Sequence, residues 1–336
     1  MTVRRIAGVV AVISLMVVGC GESTPVESAD EIAVVGDGPV VLGRGSPIAI
    51  GFTVPKATLL LMPPLPQAGG EGESPGWTAY LRPRDPVATF NDLTTQAQKL
   101  GFELGVSSPD PCFADPDEQT LGNHERPASF EAFPDGVESI AVECKTLAYR
   151  EVDGVEEEVF IFTSQDFRQT PPISRAEISL TRIPAGSDPR RVGTGRFDLS
   201  PLAQTNVRAP KRDIEMAPPA LRPGDPLSSL DGESGFTLLE GSRLVAPVNE
   251  SGGQGCLWAA LDVTGKPEKV FEGYVDRLRE MSLEYGSPPT LAKSALFERR
   301  IEQASTNTDD STMVTLTLVV GTPDEPVRLM IERCKG

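Results

Sequence analysis

Two stretches decide how this chain is read: Trp77-Thr-Ala-Tyr-Leu-Arg-Pro-Arg-Asp-Pro86-Val-Ala-Thr-Phe90 and Trp258-Ala-Ala-Leu-Asp-Val-Thr-Gly-Lys-Pro267-Glu-Lys-Val-Phe271. In each, a proline follows the tryptophan by nine residues and a phenylalanine follows the proline by four. At the same offset Leu93, Ala97, Leu100, Phe102 and Glu103 meet Tyr274, Leu278, Met281, Leu283 and Glu284. Upstream, Ala57-Thr-Leu-Leu-Leu-Met-Pro63 resembles Gly241-Ser-Arg-Leu-Val-Ala-Pro247. Identity is low, but pattern at a fixed offset is the signature of an internal repeat.

Each copy reads alike. An apolar stretch ends in proline, a Gly-rich loop follows, and a strand carries the tryptophan. Pro86 and Pro267 stand where a helix starts, since proline's fixed φ suits the first turn. The helices are predicted over about 86–100 and 267–284. In the second, Val270, Phe271, Tyr274, Leu278 and Met281 recur at three- and four-residue steps, leaving Glu272, Asp276, Arg277 and Arg279 largely on the other side. Gly286-Ser-Pro-Pro289 stops it. Strands follow at roughly 138–150, 156–164 and 175–183, and at roughly 296–305, 312–320 and 327–334. Val159, Ile161, Ile178 and Leu180 alternate with more polar neighbours, and Met313, Leu316, Leu318 and Val320 are apolar, with Thr at 312, 315 and 317. Asp153-Gly154 is a hairpin turn signal. The fold class is therefore α+β: two repeated βαβββ modules, each an antiparallel sheet with one helix on a face. The other sheet face is left for water or for a partner surface, and the two modules can dock sheet to sheet or side by side.

The boundaries that follow are a leader over 1–19, a tether over 20–35, a first module over 36–185, a Pro/Gly-rich linker over 186–228 and a second module over 229–336. The linker holds Pro189, Pro201, Pro210, Pro218, Pro219, Pro223 and Pro226, a composition that favours an extended path. Val-rich pieces within 33–52 either add an edge strand or lie along the first module.

The leader carries the clearest functional signal. Arg4 and Arg5 precede an uncharged apolar run, Ile6–Val18, too short to cross a bilayer and suited to the apolar region of a secretory signal. It ends in Val17-Val18-Gly19-Cys20, followed by the polar Gly21-Glu-Ser-Thr-Pro25. This resembles the lipobox of bacterial lipoprotein precursors; Gly19 and Cys20 match its usual form and Val17 and Val18 depart from it. The resemblance covers the leader alone. It implies diacylglycerol and a further acyl (palmitate-type) chain on Cys20 after cleavage before it, and a place on the extracytoplasmic face of a bacterial membrane. Two or more acyl chains anchor stably where one is marginal.

Composition narrows the rest. Lys+Arg 31 against Asp+Glu 48 gives a net charge of −17, and removing a leader with Arg4 and Arg5 takes it to −19. Such a chain lacks the basic footprint of a nucleic-acid binder. The expected partners are the membrane, through lipid, and an envelope protein, lipid or glycan. One histidine, His124, excludes multi-histidine zinc sites. Apart from Cys20, four cysteines remain, an even count that suggests two disulfides in an exported chain. Of three possible pairings, Cys112 with Cys144 and Cys256 with Cys334 keep each bridge inside one module. No Cys-x-x-Cys spacing points to metal or redox chemistry.

Candidate chemistry is sparse. The acids Asp110, Asp115, Asp117 and Glu118 around Cys112 lack the glycine of a calcium-binding EF-hand loop. Asn249-Glu-Ser-Gly-Gly-Gln-Gly255 precedes a strand, the reverse of a phosphate loop's order. His124 has no Gly-x-Ser-x-Gly elbow to serve. Trp77 and Trp258, at matched positions, either line a ligand groove or anchor each helix on its sheet. No catalytic residue, metal or cofactor is assigned. The function expected is a non-catalytic binding or scaffolding role in the envelope; the alternative is an anchored cell-wall hydrolase using a carboxylate pair, whose mark is two carboxylates in a pocket at roughly 5–9.5 Å.

Overall fold

The computed structural model describes residues 42–67, 74–105, 111–122, 136–168, 172–184, 209–227, 236–251, 256–282, 288–307, 312–322 and 325–335. The leader, the tether with Cys20, His124, and 186–208 of the linker lie outside the described residues.

The first module is built from β1 (Thr58–Gln67), β2 (Ser74–Pro83), α1 (Pro86–Lys99), β3 (Glu103–Gly105), β4 (Cys112–Pro116), the single turn α2 (Glu118–Leu121), β5 (Ser139–Val152), β6 (Val155–Asp166) and β7 (Ile173–Pro184). The second has β8 (Ser242–Leu244), β9 (Asn249–Ser251), β10 (Cys256–Val263), α3 (Pro267–Ser282), β11 (Thr290–Leu296), β12 (Arg299–Asn307), β13 (Thr312–Val320) and β14 (Arg328–Lys335). Each module is one seven-stranded antiparallel sheet, ordered β1-β2-β7-β6-β5-β3 with β4 also on β5, and β11-β12-β13-β14-β10-β8 with β9 also on β10. The shared core is a strand, a helix and a three-stranded meander whose last strand returns beside the first: β2-β7-β6-β5 in one and β10-β14-β13-β12 in the other. This is the α+β repeat expected, with strands added at the edges.

Local chemistry accounts for these elements. Asp85 caps α1, its carboxylate accepting from the Ala88 amide at 2.9 Å, and Pro86 occupies the first turn. Asp85→Ala should cost about 1 kcal/mol, read as a lower urea midpoint with an unchanged slope. Val87, Phe90, Leu93 and Ala97 of α1 pack against Ala79, Leu81, Ile161, Ile178 and Leu180 of the sheet. Val270, Phe271, Tyr274, Val275 and Leu278 of α3 pack on the second sheet, among Ala259, Leu261, Leu316 and Ile331. The Tyr274 hydroxyl accepts from the Leu239 amide and bonds the Ser242 hydroxyl, both at 3.1 Å, which satisfies it inside the core. Asp153 and Gly154 both have positive φ, 52° and 76°, and close β5 onto β6 in the tight turn that the pair favours.

Three prolines lie in β1, which can hold them because it is an edge strand with two register shifts against β2. β11 is a strand that precedes the span predicted for the meander. It folds back on β12 through Phe297 and Glu298, both at positive φ (49° and 63°). Neither is a usual residue for that conformation, so no turn signal marks the hairpin in the sequence. Residues 42–56 lie along the first module, where Ile48, Phe52 and Val54 join its core. Residues 209–227 take the irregular path their composition implies, but they are held: Arg212 pairs with Asp117, Lys211 with Glu138, and Ile214 and Met216 pack on Leu59.

Both disulfides form as the sequence pairs them. Cys112 stands opposite Cys144 across β4 and β5, and Cys256 opposite Cys334 across β10 and β14.

The modules dock sheet to sheet. Odd-numbered residues of β2 and even-numbered residues of β7 face α1, so Tyr80, Arg175 and Glu177 face away from it. Residues 257, 259 and 261 of β10 and 329 and 331 of β14 face α3, so Trp258, Met330 and Glu332 face away as well. Those outward faces meet: Met62, Leu65, Cys256, Trp258, Ile301, Val319 and Met330 form one cluster, with Tyr80 and Leu296 against it. The layers are helix, sheet, sheet, helix.

Candidate functional site

Among the described residues, the densest gathering of titratable groups with shifted properties lies in the seam between the sheets. Tyr80 and Glu177 are direct cross-strand neighbours on β2 and β7, with Phe162 of β6 beyond Glu177. Trp258 and Glu332 are direct neighbours on β10 and β14. The Tyr80 and Trp258 rings stack obliquely with centroids 4.6 Å apart, which brings the two rows together. The Arg175 guanidinium lies 4.4 Å from the Phe162 ring centre and 5.3 Å from that of Trp258, a cation held between aromatic faces.

Burial governs the acid–base behaviour here. It raises the Glu177 carboxyl above the usual carboxylate range, with Arg175 opposing. It raises Glu332 too, and the charge of Glu177 adds to the effect. The Tyr80 hydroxyl is pushed up by burial and then by Glu332 and Glu177. Arg175 is lowered by burial, against the pull of Glu177, Glu143 and Tyr80. The Cys256 and Cys334 sulfurs lie within 4.8 Å of a Glu332 carboxylate oxygen. Joined as a disulfide, they offer no thiolate to a metal.

A second feature is an open cleft of about 320 Å³ between residues 44–56 and the C-terminal half of α1. Arg44, Lys56 and Lys99 line it with Asp92, Gln96 and Thr53. The Gln96 carboxamide fixes its wall by accepting from the Thr53 amide at 2.8 Å and donating to the Thr53 carbonyl at 3.1 Å.

The residues singled out in the sequence fall as follows. Trp77 is 1% exposed in the first module's core, where its ring meets Phe297 edge-on at 6.5 Å. Trp258 is 5% exposed and lies in the seam. Matched in sequence, they face opposite sides of their sheets, so Trp77 joins its module's helix–sheet core and Trp258 the seam. The physical reason is a one-residue difference in the strand-to-helix connection, and a one-residue slip in a strand turns every side chain to the other face. Neither indole N–H finds an acceptor among the described residues. The acids around Cys112 are engaged by arginines: Asp115 by Arg168 at 2.8 Å, and Asp117 by Arg212 at 2.7 Å, with Asp117 also capping α2. Asp110 and 252–255 of the Gly-rich loop lie outside the described residues.

Tyr80, Arg175, Glu177 and Glu332 are not legible as a group in the sequence. Each sits on the polar side of an alternating strand, such as Ser174-Arg-Ala-Glu-Ile-Ser179. That pattern reads as a water-facing surface, and nothing local says that a second sheet covers it.

No family model matches this chain, and no curated protein matches it. Among solved structures it is similar to the acyl-CoA thioesterase II TesB2 from Mycobacterium marinum, at 11% identity over 62% of this chain and 77% of that one, with a TM-score of 0.16. It is similar to a tesB protein of Mycobacterium avium subsp. paratuberculosis at 10% identity over 80% and 95%, TM-score 0.14. A third is a bifunctional dehydratase-cyclase domain of ambruticin biosynthesis, at 12% identity over 81% and 94%, TM-score 0.15. Likeness at this level carries no argument for the activity of this chain.

Proposed function

We propose that this chain is a lipid-anchored envelope protein with a non-catalytic binding or scaffolding role on the extracytoplasmic side of a bacterial membrane. The observation that carries the reading is the leader, Arg4-Arg5 followed by the apolar run that ends in Gly19-Cys20. The two disulfides support it, because such bridges persist in oxidising compartments outside the cytoplasm. The two sheet faces are spent on each other, so a partner meets the outer helices, the sheet edges or the cleft beside α1. The three cations of that cleft suit an anionic group on a lipid or protein, in a chain whose overall charge repels one.

Cys20→Ala should move the protein from the detergent-soluble membrane fraction to the soluble or precursor form and abolish incorporation of a labelled fatty acid. Membrane retention with unaltered labelling in that variant would overturn the anchor. For the binding role, Arg44→Ala/Lys99→Ala on the mature chain should weaken capture of an anionic partner in cells after crosslinking, and an unchanged crosslinking profile would remove the cleft from the reading.

A further inference from the structure

The seam sets two carboxylates from opposite halves of the chain, Glu177 and Glu332, on facing sheets, each beside one of the two touching rings Tyr80 and Trp258. We propose that Glu177 and Glu332 hold one proton between them and act as a latch: with the proton bound the two sheets close, and without it the seam loosens. The inference is independent of the anchor, since it concerns only how the two modules stay together.

The geometry carries it. Glu177 belongs to β7 of the first module and Glu332 to β14 of the second. Each has its aromatic neighbour, Tyr80 or Trp258, directly across its own sheet, and those two rings touch. The carboxylates are thus held at one point of the seam by the same contact that joins the modules.

The other charges about this point do not neutralise both acids. From the first sheet come Arg175 on β7 and Tyr80 on β2, with Arg82 further along β2 spent on the Glu215 carbonyl. β6 sets Phe160 and Phe162 on this face, and its next residue on the same side, Glu158, is a further acid opposite Thr181. Glu143 of β5 reaches Arg175 from one strand beyond and is paired with Lys145. From the second sheet, Asp262 of β10 is engaged by Arg243 and Arg328. Lys293 of β11 is engaged by Glu302. β1 and β13 bring no charged residue, and the β9 side chains lie outside the described residues. Arg299 of β12, on the same face as Ile301, is engaged by Glu325. Arg175 offsets Glu177, while the charge of Glu177 bears on Glu332, and the second negative charge at this half-buried place is relieved by keeping a proton. The raised position of both carboxyls, and the contribution of Glu177 to that of Glu332, agree with this.

The sign follows. A carboxyl whose pKa is raised by docking favours the docked form fully below the ordinary carboxylate range. The advantage is lost as pH rises through the raised value. The test uses the whole mature chain and amide hydrogen exchange, corrected for the intrinsic rate, read on β2, β7 and β14 between pH 5 and 8. Protection of these strands should fall by roughly tenfold or more over that range, since one proton linked to opening gives at most about tenfold per pH unit. Glu177→Gln and Glu332→Gln should each flatten most of the slope and raise protection at pH 8, because the remaining carboxylate then no longer has a second negative charge beside it. Glu143→Gln should leave the slope unchanged. A flat profile in the native chain, or a slope that survives in both glutamine variants, would overturn the latch. Should either variant fail to fold, the other alone decides, and so does the native profile.

Discussion

Replacing Cys256 and Cys334 together by alanine should lower the stability of the chain by about 4.5 kcal/mol, the largest loss expected from any disulfide here. The bridge joins residues 78 apart, and closing so long a loop removes the most freedom from the unfolded chain. It also pins β10 to β14, two interior strands of the second sheet, next to the seam. The matching change at Cys112 and Cys144, a separation of 32, should cost about 3.7 kcal/mol. That pair fastens β4, which lies off the main strand order of its sheet. Urea titrations of the two double variants, with both midpoint and slope fitted, measure the difference. If the Cys112/Cys144 variant proves the less stable, loop closure is not what these bridges contribute.

Asp262→Ala should destabilise by about 3–5 kcal/mol, the usual cost of breaking a buried ion pair on one side. Arg328 is 0% exposed and Asp262 3%. The carboxylate meets Arg328 at 3.3 Å through one oxygen and Arg243 at 2.9 Å through the other. Burial pulls the Arg328 guanidinium down to about 10, with Asp262 opposing and Arg243 adding to the fall. It is still charged at neutral pH, so losing Asp262 removes an opposing charge from a cation inside the protein. Replacing the pair at once, Asp262→Leu with Arg328→Met, should recover most of the loss, because apolar groups of similar volume need no counter-charge. Calorimetry of the single and double variants separates the two cases; equal melting temperatures for both would sink the argument.

Much of the architecture is legible because it rests on local rules. The helices begin at Pro86 and Pro267 as their ring geometry demands, and the face Val270-Phe271-Tyr274-Leu278 is the one buried. Long alternating strands and the Asp153-Gly154 turn are equally open to reading, as is the cysteine pairing within modules. What is hidden depends on relations between distant segments. The hairpin before β12 turns on Phe297-Glu298, which carries no turn chemistry. The opposite facing of Trp77 and Trp258 comes from one extra residue after β10, invisible to an alignment anchored on the prolines. The seam, and with it Glu177 and Glu332, is hidden because a polar strand face looks the same whether water or another sheet lies over it.

The sheet-to-sheet docking has a consequence for abundance. Two separate copies of such a module would meet by mass action and come apart on dilution. Here each half is the other's permanent neighbour, supplied by the same chain at a local concentration set by the connecting residues. The sandwich therefore persists in a cell that makes only a few molecules. Its two halves are also free to drift apart in sequence, since neither has to recognise a copy of itself.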